Sequence, residues 1–407
     1  MRIKMMQSHR LFLFILLLLF CKVNFAQKKD TWLGHLQLND SISLPVYFDV
    51  DVKGNTMVFD FQNDQEHIRA TEVSTTGDSV FIKLPVFDSE LRLKQTQDHF
   101  SGTYVNHARQ DHNVLVFEAS KVLSKNTLSA PTRFLHGESW QVHFSPNTPD
   151  AYPAIGLFSM DPQSGRLHGT FLTETGDYRY LSGKAEPAGK GFKLTLGCFD
   201  GSHAFLFTAL LDTSKASMRG EFYSGAHGHE SWEAQQDSAF SLRDPDSLTA
   251  LKPGFTGLEF TFKNLQGDPV SLKDKRYKDK VVIVQIMGSW CPNCMDETRY
   301  FAELNRRYKA RGLEVIALAF ERGTDLAQQR KNLLRVKQQL GADYEFLLTG
   351  YAGKAAEASK ALPMLNRVMA FPTAIYIDRK GRCATYQRAS MVLLQALTTR
   401  PCPPFFV

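Results

Sequence analysis

The sequence is sparing in several things. Six cysteines in 407 residues are too few for a small disulfide-stapled scaffold. Gly and Pro, at 27 and 17, are too scarce for a low-complexity or collagen-like chain. Basic residues are spread along the chain rather than clustered, and the net charge is only +6, so the footprint of a nucleic-acid-binding protein is missing. No apolar run reaches the ~20 residues that a spanning helix needs. There is no G-x-S-x-G and no H-E-x-x-H, so hydrolase chemistry has no visible support. Gly350-Tyr351-Ala352-Gly353-Lys354 lacks the spacing of a phosphate loop.

What is present is an ordinary globular composition, 43% hydrophobic and 22% charged, with 30 phenylalanines against four tryptophans. It points to a large apolar core rich in sheet. The N-terminus reads as an address. Arg2, Lys4 and Arg10 precede the apolar run 11–20, and Ala26-Gln27 offers a cleavage point. This is the layout of a secretory signal peptide over 1–26. It predicts an exported, periplasmic protein in a compartment where disulfide chemistry can occur; a retained anchor is the alternative. Cys21 follows the bulky Phe20, which argues against a lipoprotein site.

Residues 27–240 read as strand after strand. Segments 44–52, 79–84, 165–173, 192–198, 204–211 and 218–223 are rich in β-branched and aromatic residues and are separated by Asp, Gly, Asn and Ser. Only 120–125 hints at a helical turn. The expectation is an all-β antiparallel region, barrel or sandwich. An internal echo runs through it. VFIKLPVFDSEL (80–91) resembles FKLTLGCFDGSHA (192–204), Gly102-Thr103-Tyr104 matches Gly220-Glu221-Phe222, and Phe117-Glu118-Ala119 matches Trp232-Glu233-Ala234. This reads as a diverged duplication, giving either two small β-modules or one larger barrel made of two halves.

Residues 241–254 (SLRDPDSLTALKPG) read as a linker, and the pattern changes class after it. Over 255–407 short strands at 258–262 and 270–272 precede a continuous apolar strand at 281–287, as expected of a central strand covered on both faces. A helix follows over about 291–310, then a strand at 313–320. The next helix, 325–340, has Leu326, Leu333, Leu334 and Leu340 available for a buried face. Strands at 346–348, 373–378 and 382–387 and a last helix at about 390–398 complete an α/β layer.

The sharpest feature is Gly288-Ser289-Trp290-Cys291-Pro292-Asn293-Cys294, between a buried strand and a helix. Cys291 would stand at the helix N-terminus, where unpaired N–H groups and the macrodipole favour an anion. A thiol there deprotonates more readily, and the thiolate is the nucleophile. Pro292 suits the first helical position. Cys294 lies one turn on, close enough to close a small disulfide ring. A structural zinc needs four ligands, and neither a second C-x-x-C nor a close histidine pair accompanies this one; no metal and no cofactor beyond the cysteine pair is expected.

These residues, with Met295-Asp296-Glu297 and AFPTAIYIDRKG (370–381), make 255–400 resemble the thioredoxin superfamily and, within it, the exported TlpA/ResA-like thiol–disulfide oxidoreductases. The resemblance implies a thioredoxin-like α/β fold, a cis-proline at Pro372 facing the dithiol, a proton-shuttling carboxylate at Glu297 and a shielding tryptophan at Trp290. It implies protein disulfides as substrates, reduced through Cys291 and Cys294, and a membrane-bound electron donor. Gln285 departs from the pattern: thioredoxin carries a buried aspartate there, and glutamine cannot act as a base. Proton handling then falls to Glu297, water or the partner. Two alternatives stay open. One is a peroxiredoxin-type peroxidase, for which Ser289 and Arg299 are on offer. The other is a ligand- or partner-binding β region with an accessory redox domain. Cys198 reads as a packed thiol, Cys383–Cys402 as a candidate disulfide, and His227-Gly228-His229 as an exposed turn rather than a metal site. Oligomeric state and the direction of electron flow are not legible.

Overall fold

The computed structural model describes residues 29–54, 56–109, 111–122, 135–161 and 164–387. The segment 1–26, expected to be a signal peptide, the helix expected at 390–398 and Cys402 lie outside them. Among the described residues no helix is long and apolar enough to cross a membrane.

From Lys29 to Gln236 the chain forms two nine-stranded antiparallel sheets, one after the other. In each sheet the first strand pairs with both the second and the last: Lys29–Gln37 with Ser43–Lys53 and Val114–Lys121, His136–Phe144 with Tyr152–Met160 and Gly228–Gln236. The first sheet ends on Glu66–Ala70 and Glu72–Thr76, which are consecutive in the chain, so it curls to near closure. In the second, Tyr152–Met160 also pairs with Leu167–Thr173, which closes the ring. Closure removes the exposed edges that a flat antiparallel sheet would carry. The expected antiparallel region is therefore barrel-like rather than a sandwich.

The abundance of phenylalanine is explained by the interiors. Trp32, Phe48, Phe59, Phe61, Phe100 and Phe117 fill the first barrel, with ring centroids 4.5 and 6.4 Å apart in the pairs Trp32–Phe100 and Phe48–Phe100. Trp140, Phe144, Phe158, Phe171, Phe207 and Trp232 fill the second. Strand alternation produces this: in Val114–Lys121 every second residue, Leu115, Phe117 and Ala119, points inward. The segment 120–125 is not a helical turn where it is described, because Ser120 and Lys121 continue that strand and pair with Leu33 and Trp32. The echoed segments occupy the same places: 80–83 and 192–199 lie on the sixth strand of their sheets, 102–104 and 220–222 on the eighth, 117–119 and 232–234 on the ninth.

Residues 241–254 contain a short helix, Pro245–Leu248, and lie against the following domain, with a bridge from Leu251 to Leu365. That domain is a seven-stranded mixed sheet in the order Pro269–Ser271, Thr261–Asn264, Glu345–Leu348, Leu313–Ala319, Val281–Met287, Thr373–Ile377, Cys383–Gln387. Val281–Met287 is central and wholly buried. It runs parallel to Leu313–Ala319 and antiparallel to Thr373–Ile377.

Helix Pro292–Tyr308 buries Cys294, Met295, Thr298, Phe301, Ala302, Asn305 and Tyr308, a stripe of 3.6-residue period. Helix Leu326–Gln339 is capped by the Asp325 carboxylate, which accepts from the Ala327 and Gln328 N–H groups. Its buried face is Gln329, Leu333 and Val336. Leu326 and Leu334 are exposed instead (63% and 44%). Leu334 stands about 100° around the helix from Leu333, and Leu326 occupies the first turn, clear of the sheet. A further helix, Ala355–Ala361, has no counterpart in the pattern read from the sequence.

Candidate dithiol site

The register of the sheet builds the site. Val281–Met287 delivers the chain to Cys291 at its carboxyl end, and Ile286 pairs with Thr373. That pairing sets Pro372 beside the turn leading to the cysteines. The Phe371–Pro372 bond is cis, and the Phe371 carbonyl oxygen lies 3.6 Å from Cys291 Sγ. Cys291 and Cys294 are joined as a disulfide, with Cα atoms 5.2 Å apart.

Cys291 is the N-cap of helix Pro292–Tyr308. Its Sγ accepts from the Cys294 N–H at 3.2 Å, and Pro292 holds the first helical position. An orphan helix donor is thus aimed at sulfur, which stabilises the thiolate once the bond is reduced. Trp290 is half-buried. Its indole N–H donates to the Phe320 carbonyl at 3.0 Å, and its ring meets Phe371 edge-on at 5.5 Å. Cys291, Cys294, Trp290 and Pro372 are therefore neighbours.

Glu297 sits behind them, 2% exposed. Burial pushes its carboxyl up to about 8, against a weaker opposing effect from Gln285. Gln285 is the hub beneath the helix. Its amide nitrogen donates to the Cys294 carbonyl (3.3 Å), Glu297 (3.0 Å) and Thr298 (3.1 Å), and its oxygen accepts from Tyr344 (3.2 Å). Glu297 is thus linked to Cys294 through this amide and the peptide backbone.

Further residues join the site without a motif to mark them. Glu321 is buried, which raises its carboxyl, and it accepts from both the N–H and the hydroxyl of Ser289. Its one signal in the sequence is its place just past the carboxyl end of Leu313–Ala319, where α/β sheets gather functional groups. The β region also reaches the motif directly. Asn293 donates to the Asp177 carbonyl at 3.1 Å, and Ser202 donates to the Trp290 carbonyl at 3.2 Å. Arg179, 3% exposed, pairs with Glu66 of the first barrel, Asp200 of the second (3.2 Å) and Asp296 of the dithiol helix. Burial works against the Asp200 carboxylate, yet His203 and Arg179 hold it at about 2. Val86 and Phe87 of the first barrel pack into the same apolar cluster as Cys291. The β region therefore covers the dithiol, and Cys291 is only 6% exposed.

Cys198 is a free, buried thiol in the second barrel, its ionisation suppressed by burial and the Asp200 charge. His229 pairs with Glu221 and His227 contacts Ser224. Among the described residues no cluster of His, Cys, Asp and Glu has the makings of a metal site. The pairing of Cys383 with Cys402 involves a residue outside the described set.

A buried dithiol at a helix start, beside a cis-proline on a mixed sheet, defines a class of redox site. The family model and the curated relatives agree with it for this part of the chain. Residues 252–393 match the Redoxin family model. The chain is 34% identical over 123 residues to the thiol-disulfide oxidoreductase ResA of Bacillus thuringiensis subsp. konkukian, an overlap of 30% of this chain and 62% of that protein. It is 30% identical over 90 residues to the thiol:disulfide interchange protein DsbE of Vibrio cholerae serotype O1, covering 22% of this chain and 46% of that protein. Among solved structures, a putative thiol:disulfide interchange protein DsbE from Chlorobium tepidum aligns over 37% of this chain and 94% of its own, at 21% identity and a TM-score of 0.29. The chain spans a little under two thirds of the length of the ResA protein it matches.

Proposed function

We propose that the protein is an exported thiol–disulfide oxidoreductase that reduces disulfides in other proteins. The observation that carries this reading is the Cys291–Cys294 disulfide at a helix N-terminus, with Cys291 Sγ accepting a backbone N–H and lying against the carbonyl before cis-Pro372. In the reduced protein the Cys291 thiolate attacks one sulfur of the partner disulfide. A mixed disulfide forms and the partner's other sulfur leaves as a thiolate that takes up a proton. Cys294, losing its proton, then attacks Cys291 Sγ and releases the second partner sulfur. Two electrons pass from the dithiol to the partner, and the Cys291–Cys294 bond is left. Glu297, raised to about 8 by burial, is protonated at neutral pH and close enough to its midpoint to exchange a proton with the Cys294 side of the site. A membrane-bound donor would return the electrons.

In this reading 1–26 is the export signal, 27–240 the β region, 241–254 the connection and 255–407 a thioredoxin-like domain. The β region governs which proteins reach the sulfur it covers. The peroxidase alternative finds little in the geometry: both Ser289 donors are committed to Glu321, and Arg299 pairs with Asp296 at 2.6 Å. The ligand-binding alternative meets barrel interiors occupied by aromatic rings.

Trapping tests the reading. A Cys294→Ser protein should accumulate mixed disulfides with partner proteins, and Cys291→Ser should not. Absence of adducts in the first variant refutes the mechanism. A dithiol potential near that of a dedicated oxidant, about −120 mV, would refute the reductive direction.

A further inference from the structure

Two arginines beside the dithiol have no ion pair among the described residues. The Arg322 guanidinium lies over the Trp290 ring, 3.9 Å from its centroid. Arg109 of the first barrel is tied to the same turn through its backbone, by a chain of hydrogen bonds. Its backbone N–H donates to the Asn106 carbonyl (3.3 Å), the Asn106 amide donates to the Ser202 carbonyl (3.1 Å), and the Ser202 hydroxyl donates to the Trp290 carbonyl (3.2 Å). Arg109 Nε is buried with no hydrogen-bond acceptor among the described residues. The buried carboxylates nearby are committed elsewhere: Glu321 to Ser289, Asp200 to Arg179 and His203. His203, stacked on Phe205 at 4.2 Å, and His227, in contact with Ser224, lie nearby in the second barrel.

The charges feel one another. Burial, and then the Arg109 charge, bring Arg322 down to about 10, with Glu321 opposing. Burial, followed by Arg109, His112 and His203, brings His227 down to about 4, with Asp111 opposing. The Arg109 and Arg322 charges therefore repel one another, and an oxyanion between them would relieve the repulsion. A planar guanidinium is the side chain suited to gripping a carboxylate through paired N–H donors.

We propose that Arg109 and Arg322 receive a carboxylate on the substrate protein, an Asp or Glu side chain close to the disulfide presented to Cys291. The proposal rests on the disulfide-exchange reading and names its substrate class. Trp290 carries Arg322 and precedes Cys291, so a carboxylate held there belongs to residues flanking the attacked cystine. Docking it orients the disulfide before exchange, and the charge attraction raises the encounter rate.

The test uses the reduced full-length protein and two synthetic peptides. Each has one disulfide, and they differ only in glutamate or glutamine beside one cysteine. The second-order rate of exchange is measured for each peptide. The glutamate peptide should react about 5- to 20-fold faster at low salt, and the ratio should fall toward one at about 0.5 M salt, where exposed charges are screened. In the Arg109→Gln/Arg322→Gln protein the ratio should be near one at every salt concentration. Equal rates in the wild type, or a ratio that persists in the double variant, overturns the carboxylate receptor while leaving exchange standing. If neither peptide is reduced, the exchange reading fails and the receptor with it.

Discussion

Replacing Glu297 with glutamine isolates one buried carboxyl whose ionisation opposes folding. In the unfolded chain Glu297 titrates at its ordinary value of 4.5; in the folded protein burial moves it to about 8. Between those two values the folded state holds a proton that the unfolded state has released. Stability therefore falls as pH rises through the window 4.5 to 8, and is fully retained below it. Each pH unit is worth about 1.4 kcal/mol, so the loss is about 3 kcal/mol at pH 7 and on the order of 5 kcal/mol above pH 8. Glutamine has nearly the same shape, does not titrate, and offers Gln285 the same acceptor oxygen. Urea unfolding of the oxidised wild-type and Glu297→Gln proteins at pH 5, 7 and 9 measures the difference directly. The two should be close at pH 5, and the variant should gain relative to wild type by a few kcal/mol at pH 9. Parallel stability curves would show that Glu297 is ionised in the folded protein at neutral pH. That would remove it as a proton reservoir for Cys294.

Arg179→Met leaves Glu66, Asp200 and Asp296 without their shared cation, with side-chain exposures of 15%, 1% and 16%. The loss should be about 3–5 kcal/mol in urea unfolding, and reduced Cys291 should be alkylated faster by iodoacetamide; an unchanged alkylation rate would show that Arg179 does not hold the cover in place. Gly220→Ala places a methyl carbon 1.9 Å from the Thr208 carbonyl oxygen and 2.7 Å from Trp232. The facing strand must shift, so the urea midpoint should drop by the equivalent of about 1–3 kcal/mol, and an unmoved midpoint would mean that the second barrel has slack at this crossing.

The dithiol and its immediate frame are legible in the sequence because local rules determine them. A seven-residue apolar run reads as a central strand, Pro292 and the cysteine before it read as a helix start, and Gly312 and Gly341, both at positive φ, read as stops. The strand-by-strand character of the β region is legible from alternation and turn residues, and the echoed segments mark equivalent strands. The choice between barrel and sandwich is not, since it depends on whether Tyr152–Met160 finds Leu167–Thr173 as a second neighbour, and alternation is the same either way. Helix Leu326–Gln339 shows a second limit: counting leucines finds an apolar helix, but only the angle between Leu333 and Leu334 decides which one is buried. The cover over Cys291 is least legible of all. Arg179 lies 117 residues from Asp296 and 113 from Glu66, and nothing near any of the three announces the others. A buried arginine with three carboxylates is specified by how the two barrels and the dithiol domain meet, which no local pattern in the chain encodes. The sequence holds one indirect trace: the echoed Phe87-Asp88 and Phe199-Asp200 both lie at the junction with the dithiol domain, Asp88 bound by its Gln328 and Arg335, and Asp200 holding Arg179 of its own barrel, which in turn pairs with Asp296. The repeated Phe-Asp thus marks the junction in both barrels, with the aromatic ring in an apolar cluster and the carboxylate beside an arginine.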